Sequence, residues 1–378
     1  MPALWVGSLS SMFVALLVYT GCAHSTAPAP GQPAPVEKQS KQKRSGPNLL
    51  APVYSKALEG DVREALRILE KVPVDSLGGF ERSERECLLR TFAEKKLPPL
   101  EVRDPFVAEL IGVYREYWIR VLLQELSVPE GEMYLFKRLS AFLGGAGYRA
   151  KYDSLDDLLD ELGSILLQKS FHSIRGVTRP YYELMAWGKE TARTYDVRLP
   201  EITIPVKVVF MQDFAVLGWS AFATCGKAYS SGWAKKDSLY CVADSYDTAS
   251  ETFSVSYLAH ESQHFADYKM FPKLEQPELE YRAKLVELAE AKETAHALVI
   301  RFASQTGHNR SAPHNFANLK VVTDLSRSIL GSDGTVMDEQ RWARVSVKDI
   351  NSEATALLKR NTEKLVSLDA ATVSQVLQ

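Results

Sequence analysis

Residues 258–268 read Leu-Ala-His-Glu-Ser-Gln-His-Phe-Ala-Asp-Tyr, with His260 and His264 four positions apart and Glu261 directly after the first histidine. On an α-helix, residues four apart stack on one face, so both imidazoles can present a ring nitrogen to a single metal ion. Zinc suits such a pair, and Glu261 projects to the side where a metal-bound water would sit. A carboxylate there can take the water's proton as a general base, which is the chemistry of hydrolysis. The competing reading is a chance pattern whose histidines are satisfied core residues.

The flanks of the motif favour a helix. Thr248 with Glu251 three positions on makes a capping-box pattern, and Phe253, Val255, Tyr257, Leu258 and Phe265 supply apolar positions before Phe271-Pro272 closes the segment. About six turns of helix are expected around the motif. A catalytic zinc also needs a third protein ligand and an open position for water. Pro277 can occupy the first turn of a long second helix through Leu279, Leu285, Leu288 and Leu298 toward Gly307, an antiparallel neighbour of the first. Glu280 and Glu287 lie two turns apart on one face of it, and the depth that matches His264 falls between them. Asp267, three residues after His264, is expected to orient a ligand histidine through its free ring nitrogen; as a ligand itself it would reach the metal only awkwardly along a straight helix. Tyr281, His296, His308 and His314 are all possible oxyanion donors, and the sequence does not choose among them. His314 follows Ser311-Ala-Pro at a loop-to-helix entry that could face a cleft.

The run from about Tyr257 to Leu288 resembles the gluzincins, the thermolysin-like zinc peptidases. Glu280-Tyr-Arg-Ala283 resembles the E-x-x-A segment that carries the third ligand in several gluzincin families. The resemblance implies Zn2+ held by His260, His264 and Glu280, Glu261 as general base, and a peptide or protein substrate. Before the motif, Tyr195 to Leu199 and Val206 to Met211 are β-rich runs separated by Pro200 and Pro205, and Leu239 to Val242 is a third. A small sheet ahead of a zinc-bearing helix resembles the zincin architecture, in which an edge strand pairs with an extended substrate. Leu239 to Val242, nearest the helix, is expected to be that edge.

From Leu49 to Trp187 the pattern is helical. Leu58, Val62, Ala65, Leu66, Leu69 and Val72 form one stripe ended by Pro73; Asp104-Pro105 caps a second helix that Pro129 stops; Ser154 with Asp157 opens a third. No second copy of any piece recurs at a fixed period, so a solenoid is not indicated. His172 has no ligand-type partner at suitable spacing and is taken as structural. The expected fold class is α+β, mostly helical: a helical domain over 49–190 and a zincin-like domain over 191–378.

The 378 residues are 46% apolar with a formal net charge of −2, an ordinary globular balance with no basic stripe and hence no electrostatic case for a nucleic-acid partner. An apolar stretch over 3–20 followed by Thr20-Gly21-Cys22 resembles the lipobox of bacterial lipoprotein signal peptides, although Tyr19 stands where that pattern usually has an aliphatic residue. The resemblance implies a signal peptide over 1–22, lipidation of Cys22, export and anchoring at a bacterial outer membrane or cell envelope. Residues 23–48 are rich in Pro, Ala, Lys and Ser and are expected to be a disordered tether. In an oxidising compartment Cys225 and Cys241 are expected to pair, with Cys87 in a charged helical stretch. Two other functions stay open: a non-catalytic envelope binding or scaffold lipoprotein with a structural or decayed zinc site, and a hydrolase of another bond.

Overall fold

The computed structural model describes residues 49–148, 151–332 and 334–377, and the strand β1 (Ala15–Leu17). Cys22 and the 23–48 tether lie outside the described residues, as does the expected signal peptide apart from β1. The chain is α+β. It divides into two compact units, one running to Glu190 and taking in Met211–Ser231, the other made of Thr191–Phe210 and Gly232 onward. A cut at 190 therefore misses the return of Met211–Ser231 to the first unit.

The first unit opens with α1 (Ala51–Leu58) and α2 (Val62–Glu70), split where one stripe was expected. Gly60 makes the break: its φ is +85°, and a Cβ there would come within 2.8 Å of the Pro180 and Tyr181 rings. After α3 (Gly79–Leu88) comes α4 (Pro105–Leu122), whose Asp104 cap accepts from the Val107 amide at 3.0 Å. This helix stops at Leu122, short of Pro129, which sits in the first turn of α5 (Val128–Gly145) behind a Ser127/Glu130 capping box. The cap of α6 (Leu155–Gln168) is Ser154, bonded to the Asp157 amide. Trp118, Tyr114, Tyr117 and Phe92 fill the core, and such side chains contribute about 1.5–3 kcal/mol each.

Strands begin earlier than the helical reading allowed. β2 (His172–Thr178) and β3 (Tyr181–Arg198) pair antiparallel from Thr178↔Tyr181 to His172↔Trp187, and β4 (Thr203–Leu217) runs through Pro205 near its start. The short α7 (Trp219–Ala223) follows Gly218, and Cys225 just beyond it forms a disulfide with Cys87 of α3, Cα to Cα 6.3 Å. The expected Cys225–Cys241 bridge is thus corrected. Cys225 turns back in a left-handed conformation after α7, whereas Cys241 is a free, fully buried thiol.

β5 (Tyr229–Ala234) and β6 (Leu239–Val242) pair antiparallel, with Gly232 opposite Cys241. The strand order β1-β5-β6-β4-β3-β2 puts β6 in the interior. It cannot be the substrate-pairing edge, and its buried Leu239, Cys241 and Val242 fit an internal strand that packs on the motif helix.

In the second unit α8 (Glu251–Phe253), a π-type turn over Ser254–Ala259 and α9 (His260–Met270) form one continuous helical segment. Its cap is Ser250, whose hydroxyl accepts from the Phe253 amide, in place of the expected Thr248/Glu251 box. The Glu251 carboxylate instead binds the amides of Lys292, Glu293 and Thr294 and the Thr294 hydroxyl. Those bonds fix the turn at which α10 (Gln276–Glu290) ends and α11 (Ala295–Ser304) begins, so the long helix expected to reach Gly307 is two helices. α12 (Pro313–Leu330), α13 (Glu339–Trp342) and α14 (Val347–Ser367) complete the unit. α10 lies at its centre, packed on α9, α12 and α14 and buried from Pro277 to Leu288. Among the described residues no helix is long and apolar enough to cross a membrane.

Candidate metal centre

The spacing of α9 stacks His260 over His264, and the turn Phe271–Glu275 brings α10 back alongside with Glu280 facing them. The π-type turn ends directly before His260, a distortion often found where a helix presents functional side chains. Nε2 of His260 lies 3.2 Å from Nε2 of His264; Glu280 places Oε1 3.4 Å from His264 Nε2 and Oε2 3.6 Å from His260 Nε2. A tetrahedral zinc with bonds of about 2.0–2.1 Å separates its ligand atoms by about 3.3–3.4 Å. The separations here, 3.2 Å between the rings and 3.4 and 3.6 Å from them to the two different oxygens of Glu280, bracket that spacing.

The polar groups at the cluster satisfy one another only in part. His260 Nδ1 meets Glu287 Oε1 at 2.8 Å, so that nitrogen carries the proton and Nε2 points a lone pair at His264 and Glu280. Glu287 is in turn held by Arg301, 3.1 Å from its other oxygen. Glu280 Oε2 is buried without an aligned donor, and so is His264 Nδ1 without a partner. A buried carboxylate oxygen short of donors is costly, and a positive charge beside it, from a protonated histidine or a bound cation, offsets that cost. His260, His264 and Glu280 can therefore hold a metal ion, and among the described residues they form the group placed to do so.

Glu261 lies 3% exposed beside the cluster, and burial pushes its carboxyl above the ordinary glutamate value despite the pull of His260 and His264. Burial also opposes charge on the other members. Even so, Glu280 raises His264 to about 8, while His314 and His264 hold Glu280 well below the usual carboxylate range. Glu287 is lowered to about 2 by His260 and Arg301 against the cost of its burial.

Asp267 makes no hydrogen bond to either histidine, and His264 Nδ1 has no partner. Its carboxylate takes Gln263 Nε2 at 2.8 Å and Arg282 Nε at 2.9 Å, and both Asp267 and Arg282 are fully buried. A buried guanidinium must be paired, and Asp267 at 2.9 Å is its near counter-ion, with Glu201 at 3.8 Å. The histidine-orienting role falls instead to Glu287, weighed from sequence only as a rival ligand. The signal was its position two turns beyond Glu280 on the same face. Of the uncommitted polar residues, the structure brings in His314, whose Nδ1 is 2.7 Å from Glu280 Oε2 although out of hydrogen-bond alignment. Tyr281 bonds Asp324 and His296 bonds the Val345 carbonyl. Tyr268, unremarked in the sequence, stacks on His264 one turn along the helix at 6.3 Å. Its i, i+4 spacing from His264 was the available clue.

No family model, no curated protein and no solved structure matches this chain.

Proposed function

We propose that this chain is a zinc-dependent hydrolase of gluzincin type that cleaves peptide bonds. The observation that carries the reading is the buried group of His260, His264 and Glu280, whose donor atoms lie close enough together to share one metal ion, with the Glu261 carboxylate near enough to feel both histidines. Zinc bound there would acidify a coordinated water and polarise a carbonyl. Three protein ligands leave a position for that water, as catalytic sites require. Glu261, its carboxyl raised by burial, takes a proton from the attacking water and returns it to the leaving amine. His260 is held in the required tautomer by Glu287.

We further infer export and anchoring through a lipidated Cys22, which rests on the sequence before Ala23; the Cys87–Cys225 disulfide supports an oxidising compartment. The burial of His260, Glu261, His264 and Glu280 favours a second reading, a structural metal in a non-catalytic envelope protein. Metal analysis and peptide hydrolysis separate the two. The purified chain should carry about one zinc, lost in His260→Ala, while Glu261→Gln should keep the metal and lose hydrolysis. A zinc-free wild type would sink both readings, and a zinc-loaded wild type inert toward peptides would leave the structural one.

A further inference from the structure

The turn that carries α9 into α10 is gripped from outside by residues remote in sequence. Glu278, in the first turn of α10 and 1% exposed, receives Arg310 Nη2 on both carboxylate oxygens, at 2.8 and 2.9 Å. The amides of Val376 and Leu377 approach the same carboxylate at 3.3 and 3.4 Å, and the Leu377 carbonyl accepts from Arg310 Nη1 at 3.0 Å. The Glu275 amide bonds the Ser374 carbonyl at 3.0 Å. Beneath these bonds Val373 packs with Phe271, Leu274, Leu279 and Leu365. Residues 368–377 thus form a strap across the turn, with Arg310 as its buckle.

The first turn of a helix is where its backbone frays, because its amides lack intrahelical partners. Glu280 stands only two residues beyond Glu278, about 200° around the helix, so it faces α9 while Glu278 faces the strap. Fraying at Pro277 to Leu279 would swing Glu280 away from His260 and His264. We propose that Glu278, clamped by Arg310 and residues 368–377, is a positioning residue for the metal-facing carboxylate of Glu280, so that strap docking and metal binding stabilise one another. This rests on the metal reading of His260, His264 and Glu280. Because coupling is reciprocal, loosening the strap weakens metal binding, and metal tightens the strap.

The test uses the full chain with zinc alone as the probe. Zinc affinity by chelator competition should fall about tenfold in Arg310→Gln, with Arg310→Lys between it and wild type. In the wild type, zinc should slow hydrogen exchange at the amides of Glu275, Val376 and Leu377. A folded Arg310→Gln with wild-type affinity, or exchange over 372–377 indifferent to bound zinc, overturns the proposal while leaving the metal site standing. If Arg310→Gln does not fold, the exchange measurement on the wild type decides alone. A wild type that binds no zinc removes the metal reading first and this coupling with it.

Discussion

Glu287 accepts the Nδ1 hydrogen of His260 at 2.8 Å, while Glu280, seven residues earlier on the same helix, faces the other nitrogen of that ring at 3.6 Å. One helix therefore supplies both the carboxylate that could complete a metal set and the carboxylate that fixes the imidazole's tautomer. Outer-shell carboxylates of this kind are worth about 10–100-fold in metal affinity. Glu287→Ala should weaken zinc binding by that factor and leave one zinc per chain at saturating metal, whereas Glu280→Ala should remove stoichiometric binding. Competition titration of the two variants checks the division of roles. Equal effects of the two would contradict it.

The Asp267–Arg282 pair predicts the opposite separation. Both groups are fully buried, and Arg282 is also bonded to Asn361 and Thr362 of α14. Removing Asp267 leaves the buried guanidinium only the longer 3.8 Å pairing with Glu201, and breaking a buried pair costs up to about 3–5 kcal/mol. Asp267→Ala should lower the denaturant midpoint accordingly, yet saturating zinc should still bind one equivalent per chain. A variant of wild-type stability with strongly weakened zinc binding would restore the histidine-orienting role expected from sequence.

The Cys87–Cys225 disulfide closes a loop across 138 residues. On the chain-entropy account a loop of that size is worth about 4–5 kcal/mol. Cys87→Ser with Cys225→Ser should therefore unfold at clearly lower denaturant, and peptide mapping without reductant should recover Cys87 and Cys225 in one linked species and Cys241 as a free thiol. A Cys225–Cys241 linkage in that map would overturn the pairing.

What could be read from the sequence tracks how local each determinant is. The stacking of His260 and His264 and the caps at Asp104 and Ser154 depend on residues three or four apart, so spacing reveals them. Glu251 looked like a local cap and is instead bonded to amides about forty residues away, which is why one long helix was expected where α10 and α11 stand. The partner of Cys225 and the interior place of β6 are set by pairings with no local trace. His172 to Thr178 was passed over as helix because its pairing with Tyr181 to Trp187 lies beyond any short periodic window. At the candidate centre the grouping of His260, His264 and Glu280 was legible from spacing and its surroundings were not: Asp267 is taken by Arg282, and Glu287, held by Arg301, bonds His260 in its place.

Glu183 gives the first unit a pH dependence of its own. Its carboxylate is buried beneath Gly218 and accepts from Thr178 Oγ1 and the amides of Leu184 and Trp219; burial outweighs those bonds and lifts it to about 7. The folded value lies above the ordinary one of 4.5, so the contribution to stability is fully present below pH 4.5 and is lost as pH rises through 7. The full difference is about 3 kcal/mol. Glu183→Gln keeps an oxygen for the Leu184 and Trp219 amides and cannot ionise, so Thr178 needs only to turn its hydroxyl round. Denaturant unfolding of the chain, read by hydrogen exchange at the amides of Leu184 and Trp219, should show the wild type losing stability between pH 5 and 8 relative to Glu183→Gln. Parallel stability curves for the two chains across that window would show that Glu183 is ionised in the folded state throughout.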